Sequence, residues 1–375
     1  MHIDNLTFND TASQFGIFIN AAYSSQSPGA TDVETNVTDS VKLLLDSAYG
    51  AKNIRIQINH DVWPTAASRD KFLTMFKNLW DKGFSPAVNI LWNQPGSQYA
   101  FADSTAYAAF VSEILDSIDN RSNTGEHMKP GIVVVENEET NASNYINTTQ
   151  AALNKYLGML RQAAIVCHNK SVKITNGGIV CFLASALTWN WLKSTYDTSV
   201  ANTWARKVFK QDFVDDLNAG TYTSLINLGK YLVGKYALVN YLSYINIHWY
   251  EPVIARYWPE DSTSPYDPPY NKNPDNLVAG ALDSTIQYFN TAIPSLKLIT
   301  NETGQLGYSQ SLTNNMVNKY RSFYTNGGNF PIVIWYDGDA DESEVISGAK
   351  ALHNTISTTS YTLRNSGTKF ENKMN

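Results

Sequence analysis

The chain has 375 residues, of which 43% are hydrophobic and 17% charged, so it can form a large core and is too apolar for a disordered protein. Its net charge of −6, from 28 basic and 34 acidic residues, argues against nucleic acid as a partner, because phosphate binding needs a basic face. No apolar run approaches the roughly 18 residues of a membrane span, so we expect no membrane partner either.

Short apolar, β-branched runs recur along the chain, and most precede a segment with helical periodicity. Eight strands are predicted, near residues 15–20, 53–59, 87–92, 131–138, 172–176, 244–248, 296–302 and 331–335. Helices are predicted over about 39–46, 68–82, 103–119, 149–168 and 342–356. Alternating strands and helices indicate parallel pairing, because a parallel connection needs a crossover. Eight such units favour a closed barrel over an open doubly wound sheet.

We therefore predict an α/β fold, a single (β/α)8 TIM barrel domain over residues 1–375, since no linker, repeat or low-complexity tract marks a second domain. The loops after the fifth and sixth strands are expected to be enlarged. Residues 177–243 leave room for two or three helices, and the Pro- and Tyr-rich residues 251–276 are expected to lack regular structure.

The cysteines and histidines show no metal-ligand pattern. The two cysteines, Cys167 and Cys181, are either buried thiols or one disulfide, and the sequence leaves both possibilities open. The six histidines are scattered, without a pair at ligand spacing, and glycine motifs for phosphate or dinucleotide binding are missing. We predict neither a metal nor a cofactor.

Functional side chains of such barrels project from the carboxyl ends of the strands. The fourth strand ends in Glu136-Asn137-Glu138-Glu139 and the seventh ends in Glu302. Two carboxylates about 5–5.5 Å apart are what a retaining glycosidase needs, one as nucleophile and one as acid. Each could instead cap a helix N-terminus, which also favours negative charge. Because Glu136 shares a face with Glu138 on an ideal strand, it is the second candidate for the acid.

Other strands carry polar or aromatic side chains in similar positions. Arg55 lies inside the apolar second strand, and a buried arginine needs a carboxylate partner, which Glu302 could be. His248 and Tyr250 follow the sixth strand, where they can hydrogen-bond a carboxylate or a sugar hydroxyl. Trp335 ends the eighth strand, as the floor of a sugar site or as part of the core.

These motifs resemble, in order and placement, those of the clan A retaining glycoside hydrolases, a (β/α)8 group that includes family 5 and family 39 enzymes. The matching segments are Ile54-Arg55-Ile56, Asn137-Glu138, His248-Trp249-Tyr250, Glu302 and Trp335. The resemblance implies that Glu138 is the acid/base and Glu302 the nucleophile. It also implies that Asn137 hydrogen-bonds the sugar 2-hydroxyl, that Arg55 and Tyr250 contact the nucleophile, and that His248 and Trp335 line the −1 sugar site. Trp92, which follows the third strand, is a further substrate-binding candidate, as an aromatic surface for a sugar ring. The chain departs from the family 5 pattern at Glu139-Thr140, at Glu302-Thr303-Gly304 and at Leu91-Trp92-Asn93, which leaves the sugar open.

We accordingly predict a retaining glycoside hydrolase that cleaves a β-linked oligosaccharide or polysaccharide by double displacement. The alternative is a catalytically silent TIM barrel that binds carbohydrate through four tryptophans: Trp63, Trp92, Trp249 and Trp258. A lyase or aldolase has less support, because Lys173 lies early in its strand and not at its end. By analogy with carbohydrate-degrading relatives, we expect a secreted or periplasmic monomer whose leader is absent from this sequence.

Overall fold

Eight parallel strands form a closed barrel. The computed structural model describes residues 15–17, 53–81, 83–93, 98–122, 125–209, 211–250, 274–304, 310–335, 339–340 and 353–354. The barrel strands are β1 (Phe15–Ile17), β2 (Asn53–Asn59), β3 (Ser85–Leu91), β4 (Ile132–Val135), β5 (Ile174–Asn176), β6 (Tyr244–Asn246), β7 (Lys297–Gly304) and β8 (Val333–Trp335). Each strand pairs with the next in chain order, and β8 pairs with β1 to close the ring. The predicted TIM barrel is confirmed.

The barrel strands are covered on both faces, as their continuous apolar runs predict. All four residues of β4 are buried, and β2 and β3 pair over seven residues, from Asn53 opposite Ser85 to Asn59 opposite Leu91. Because the pairing is parallel throughout, the carboxyl ends of all eight strands lie at one end of the barrel. A two-residue strand, Trp249–Tyr250, extends the sheet beside β7 at that end.

The described residues form nine helices around the barrel. They are α1 (Ala66–Asp81), α2 (Ser104–Asp119), α3 (Gln150–Asn169), α4 (Cys181–Thr195), α5 (Thr198–Ala205), α6 (Gln211–Ala219), α7 (Thr223–Tyr236), α8 (Pro274–Ala292) and α9 (Gln310–Gly327). The first three match the predicted helices closely. Asp103 and Thr149 are the N-caps of α2 and α3, since the Asp103 side chain accepts hydrogen bonds from two first-turn N–H groups and the Thr149 side chain accepts one.

Two details of the helical prediction are wrong. The segment between β5 and β6 contains four helices, α4 to α7, because the Asp197 side chain caps a separate α5 and Gly220, at φ 85°, ends α6. The helix predicted over about 342–356 does not include His353–Asn354, whose backbone pairs with the strand Asp339–Ala340. The rest of that helix and the predicted helix at 39–46 lie outside the described residues.

Three further expectations concern features away from the barrel mouth. Residues 251–273 lie outside the described part of the chain, while 274–276 begin α8, with Pro274 at a first-turn position that tolerates proline. Cys167 and Cys181 are both buried and are not joined by a disulfide, and burial raises the pKa of the Cys167 thiol. None of the described helices is both long enough and apolar enough to cross a bilayer.

Candidate active site

Two glutamates and one histidine meet at the carboxyl end of the barrel. One carboxylate oxygen of Glu138, one of Glu302 and a ring nitrogen of His248 all lie within 4.8 Å of one another. Glu302 is in β7, and Glu138 is the third residue after β4. Their side chains keep 18% and 13% exposure, so a ligand can reach both. The nearest oxygens of the two carboxylates are therefore at most 4.8 Å apart, which fits the roughly 5–5.5 Å between the carboxyl groups of retaining glycosidases better than the roughly 6.5–9.5 Å of inverting ones.

Arg55 projects from the middle of β2 and is only 1% exposed. Its Nη1 donates to Oε2 of Glu302 at 2.5 Å and to the carbonyl oxygen of Asn301 at 3.3 Å. Its Nη2 donates to Oδ1 of Asn137 at 2.8 Å. The guanidinium therefore neutralises Glu302 and ties the end of β7 to the segment after β4. Breaking such a buried pair leaves an uncompensated charge.

His248 is fully buried and touches both catalytic candidates. Its Nδ1 lies 3.1 Å from Oε1 of Glu138 and 3.6 Å from Oε2 of Glu302, while Nε2 lies 2.8 Å from Oδ1 of Asn301. Burial lowers the pKa of His248, but the negative charges of Glu302 and Glu138 and the hydrogen bond to Glu138 outweigh both burial and the charge of Arg55. The pKa of His248 is therefore raised.

This triplet also has the spacing of a three-ligand cation site. Arg55 already supplies a positive charge 2.5 Å from Glu302, and a second cation there would be repelled. The charge balance thus favours acid–base chemistry.

The four residues after β4 point in different directions. Glu136 and Glu138 have φ values of 67° and 54°, in the left-handed region that non-glycine residues rarely adopt. Glu136 turns into the protein and is 1% exposed, where its two oxygens accept hydrogen bonds from the Trp92 N–H and the Tyr145 hydroxyl, both at 2.9 Å. The shared face expected for Glu136 and Glu138 is therefore wrong, because the left-handed residues break the strand alternation.

The two buried glutamates that flank Asn137-Glu138 resist ionisation. Burial raises the pKa of Glu136 to about 8, although hydrogen bonds from Trp92 and Tyr145 oppose the rise. Burial also raises the pKa of Glu139, whose Oε1 accepts hydrogen bonds from Asn176 and from the Tyr236 hydroxyl.

The aromatic residues expected in the sugar site are Trp92, Tyr250 and Trp335. Trp92 is half-buried, and one face of its ring stacks on His60 with centroids 3.9 Å apart, so only the opposite face is left for a ligand. The backbone of Tyr250 pairs with Gly304, and that of Trp335 pairs with Thr303, so both lie beside the end of the strand that carries Glu302. Their side chains lie outside the described part of the structure.

Two of the four tryptophans in the silent-binding alternative cannot stack on sugars. Trp63 is 2% exposed and its Nε1 donates to Glu113 at 2.8 Å, while Trp249 is 0% exposed. Both belong to the core between barrel and helices. Trp258 lies outside the described residues.

Sequence reasoning missed several asparagines around the site. Asn141 donates from Nδ2 to Oε2 of Glu138 at 2.8 Å. Asn89, Asn246 and Asn301 are buried inside the barrel and connect to His248. For Asn89 and Asn246 a sequence signal was available, because each interrupts an otherwise apolar strand, where an unpaired amide would be costly.

Comparisons with solved structures agree with this fold. No family model and no curated protein matches the chain. Among solved structures, a β-glycosidase matches with TM-score 0.58 and 11% identity over 98% of this chain and 97% of its own. The virulence factor SghA, bound to its substrate analogue salicin, gives 0.56 and 11% over 97% and 95%. A fungal β-1,4-galactanase gives 0.50 and 12% over 96% and 98%.

The fold is a (β/α)8 barrel, which these solved structures share. At these identities the likeness is one of fold, and it extends over nearly the full length of the chain. The resemblance inferred from the strand-end motifs is confirmed at that level. Within this barrel, Glu138 and Glu302 lie at the carboxyl ends of the fourth and seventh strands.

Proposed function

We propose that the protein is a retaining glycoside hydrolase that cleaves a β-linked carbohydrate, with Glu302 as nucleophile and Glu138 as acid/base. The observation that carries the proposal is the placement of the two carboxylates within 4.8 Å at the open end of the barrel. Structures of similar fold include a β-glycosidase and a β-1,4-galactanase, which support a β-linked oligosaccharide or polysaccharide as substrate.

In the first step, an oxygen of Glu302 bonds to the anomeric carbon while the glycosidic bond to the leaving oxygen breaks. Arg55 favours the ionised nucleophile, because its guanidinium donates to Oε2 at 2.5 Å. Glu138 gives its proton to the leaving oxygen, which departs as a neutral alcohol. Since Oδ1 of Asn137 accepts from Arg55, its amide nitrogen is the group that can donate to the sugar 2-hydroxyl.

In the second step, Glu302 is a neutral ester and Glu138 is a carboxylate. Glu138 takes a proton from water as the water oxygen bonds to the anomeric carbon and the ester bond breaks. Asn141 orients Glu138 for both steps through its hydrogen bond to Oε2. Two displacements at the same carbon restore its original configuration. We also propose that the enzyme is a monomer, that it has a single domain and that it acts outside the cytoplasm.

A covalent trap tests this assignment. In a panel of 2-fluoro β-glycosides with activated leaving groups, the fluorine slows both steps, but the leaving group keeps ester formation faster than ester hydrolysis. Peptide mapping should place the sugar on Glu302. The Glu302→Gln variant should not be labelled, whereas Glu126→Gln, at an exposed site, should be labelled like the wild type.

Product analysis by NMR provides the second readout, and it should show net retention of the anomeric configuration on a substrate that the panel identifies. A label on Glu136 or Glu138 would reverse the assignment of roles. Net inversion would exclude double displacement.

A further inference from the structure

The orientation of the Asn301 side chain is determined by two backbone groups. The backbone N–H of Asn301 donates to Oδ1 of Asn246 at 3.0 Å, so the Asn246 amide nitrogen faces away from it and donates to Oδ1 of Asn301 at 2.5 Å. On the other side, Nδ2 of Asn89 donates to the carbonyl oxygen of Glu136 at 3.3 Å. This leaves Oδ1 of Asn89 to accept from Nδ2 of Asn301 at 2.9 Å. Backbone groups have fixed donor and acceptor roles, so Oδ1 of Asn301 is an acceptor.

This acceptor determines which nitrogen of His248 carries hydrogen. Oδ1 of Asn301 lies 2.8 Å from Nε2 of His248 and can only accept, so Nε2 is protonated in every state of the ring. In the neutral ring, Nδ1 therefore carries a lone pair. Nδ1 lies 3.1 Å from Oε1 of Glu138. A lone pair facing an ionised carboxylate is repelled, so this contact requires a proton between the two atoms.

We propose that His248 and Glu138 hold one proton in common, and that Asn301 is the positioning residue that imposes this arrangement. The proton is either on Glu138, as a carboxylic acid that donates to Nδ1, or on Nδ1, as an imidazolium beside a carboxylate. The role of this pair in catalysis rests on the proposed function, whereas the sharing of the proton between His248 and Glu138 does not.

The shared proton is the one that the proposed reaction needs. In the first step it leaves the pair on the departing alcohol, as the glycosidic bond breaks and the ester bond to Glu302 forms. The pair then consists of a carboxylate opposite a neutral His248 lone pair, and their repulsion makes Glu138 a stronger base. In the second step one proton of the attacking water returns to the pair, the other remains on the new sugar hydroxyl, and the ester bond breaks.

The charged groups around His248 come from three sides of the barrel. Glu138 and Glu139 follow β4, Arg55 lies in β2 and Glu302 in β7, and all four act electrostatically on the ring. The carboxylates favour the protonated pair, and the guanidinium opposes it. The raised pKa of His248 agrees with this balance.

Nitrogen NMR of the full-length protein, with ¹⁵N in its histidine rings, tests the proposal without any substrate. The signals of His248 are assigned by their loss in His248→Gln. Across a titration from acid to alkaline pH, Nε2 should remain protonated, and only Nδ1 should change between its protonated and acceptor forms. The exposed His127, paired with Asp119, provides an internal comparison.

Two variants separate the parts of the proposal. Glu138→Gln removes the proton partner and should move the Nδ1 titration down by about one pH unit or more. Asn301→Leu removes the acceptor at Nε2, and the neutral ring should become the Nδ1–H tautomer. If that variant does not fold, the titrations of the wild type and of Glu138→Gln are sufficient to test whether His248 and Glu138 share a proton. A wild-type neutral ring protonated on Nδ1, or an Nδ1 titration that Glu138→Gln leaves unchanged, would overturn the proposal.

The two proposals fail in different ways. If the 2-fluoro sugar labels Glu302 while neutral His248 carries hydrogen on Nδ1, the glycosidase assignment stands and the shared proton is refuted. If no sugar is trapped but Nε2 remains protonated and Glu138→Gln shifts the Nδ1 titration, the shared proton stands and the glycosidase assignment loses its support.

Discussion

Glu138 receives a different contact at each carboxylate oxygen, His248 at Oε1 and Asn141 at Oε2. As a general acid it matters most when the leaving group is poor. We expect Glu138→Ala to lower kcat/KM for such substrates by about 10²–10⁴-fold, while glycosylation by activated phenyl glycosides is largely retained. A series of aryl β-glycosides with graded phenol acidity measures this, with Glu126→Ala as the surface control. Equal loss across the series would remove Glu138 from the acid role.

Arg55 has a charge effect and a structural effect that can be measured separately. Without the guanidinium, ionised Glu302 is less favoured, so Arg55→Met should move the acidic limb of the kcat/KM profile to higher pH. Urea denaturation should show a loss of about 3–5 kcal/mol in unfolding free energy, since the largely buried carboxylate of Glu302 loses its charge partner.

The matched control for that variant is Arg121→Met, which breaks the exposed pair with Asp70 and should cost about 0–1 kcal/mol. An acidic limb that does not move in a folded Arg55→Met protein would leave Arg55 a structural role only.

At the scale of elements, the turn after β5 has a glycine, Gly178, at the position that His248 packs against. Gly178 has φ 118°, and a Cβ atom there would lie 2.2 Å from Nε2 of His248. Gly178→Ala should therefore displace the imidazole, lower activity by at least an order of magnitude and shift the His248 ring signals. Gly83 has φ 83° and nothing lies within 4 Å of an added Cβ. Gly83→Ala is therefore the control variant, which introduces backbone strain without a steric contact. Equal activity losses in the two variants would show that the contact with His248 is unimportant.

The elements were predictable because their signals are local. Short continuous apolar runs located all eight barrel strands, and apolar residues with helical periodicity located the helices α1 to α3. The conformation of the segment after β4 could not be predicted from the sequence, because tertiary contacts hold its left-handed residues. The Glu136 side chain, for example, accepts a hydrogen bond from the backbone N–H of Trp92, 44 residues earlier in the chain. Likewise Asn301 binds Asn89 across 212 residues, a pairing that no local pattern encodes.

For the molecule as a whole, the buried acids beneath the barrel mouth couple stability to pH. Glu136 and Glu139 lie behind Glu138, and burial raises the pKa of both. The folded protein therefore keeps protons that the unfolded chain releases, so these two groups make stability fall as pH rises. The Arg55–Glu302 pair has the opposite tendency, because its carboxylate is paired when folded. The pH dependence of the unfolding free energy is the sum of these opposing contributions.

Glu136 offers the cleanest separation of these contributions. Its pKa rises from an ordinary 4.5 to about 8 in the folded state, so its stabilising contribution is complete below about pH 4.5 and is lost as pH rises toward 8. Glutamine imitates the protonated carboxyl, since its oxygen can accept from the Trp92 N–H and its nitrogen can donate to the Tyr145 hydroxyl.

The unfolding free energy of Glu136→Gln, relative to the wild type, should therefore increase steadily across the same pH window and become constant above it. Urea denaturation at a series of pH values measures the difference, in which the contribution of the Arg55–Glu302 pair cancels because both proteins contain it. Glu126→Gln controls for the loss of one surface carboxylate. A difference between Glu136→Gln and wild type that is independent of pH would show that Glu136 is already ionised in the folded protein.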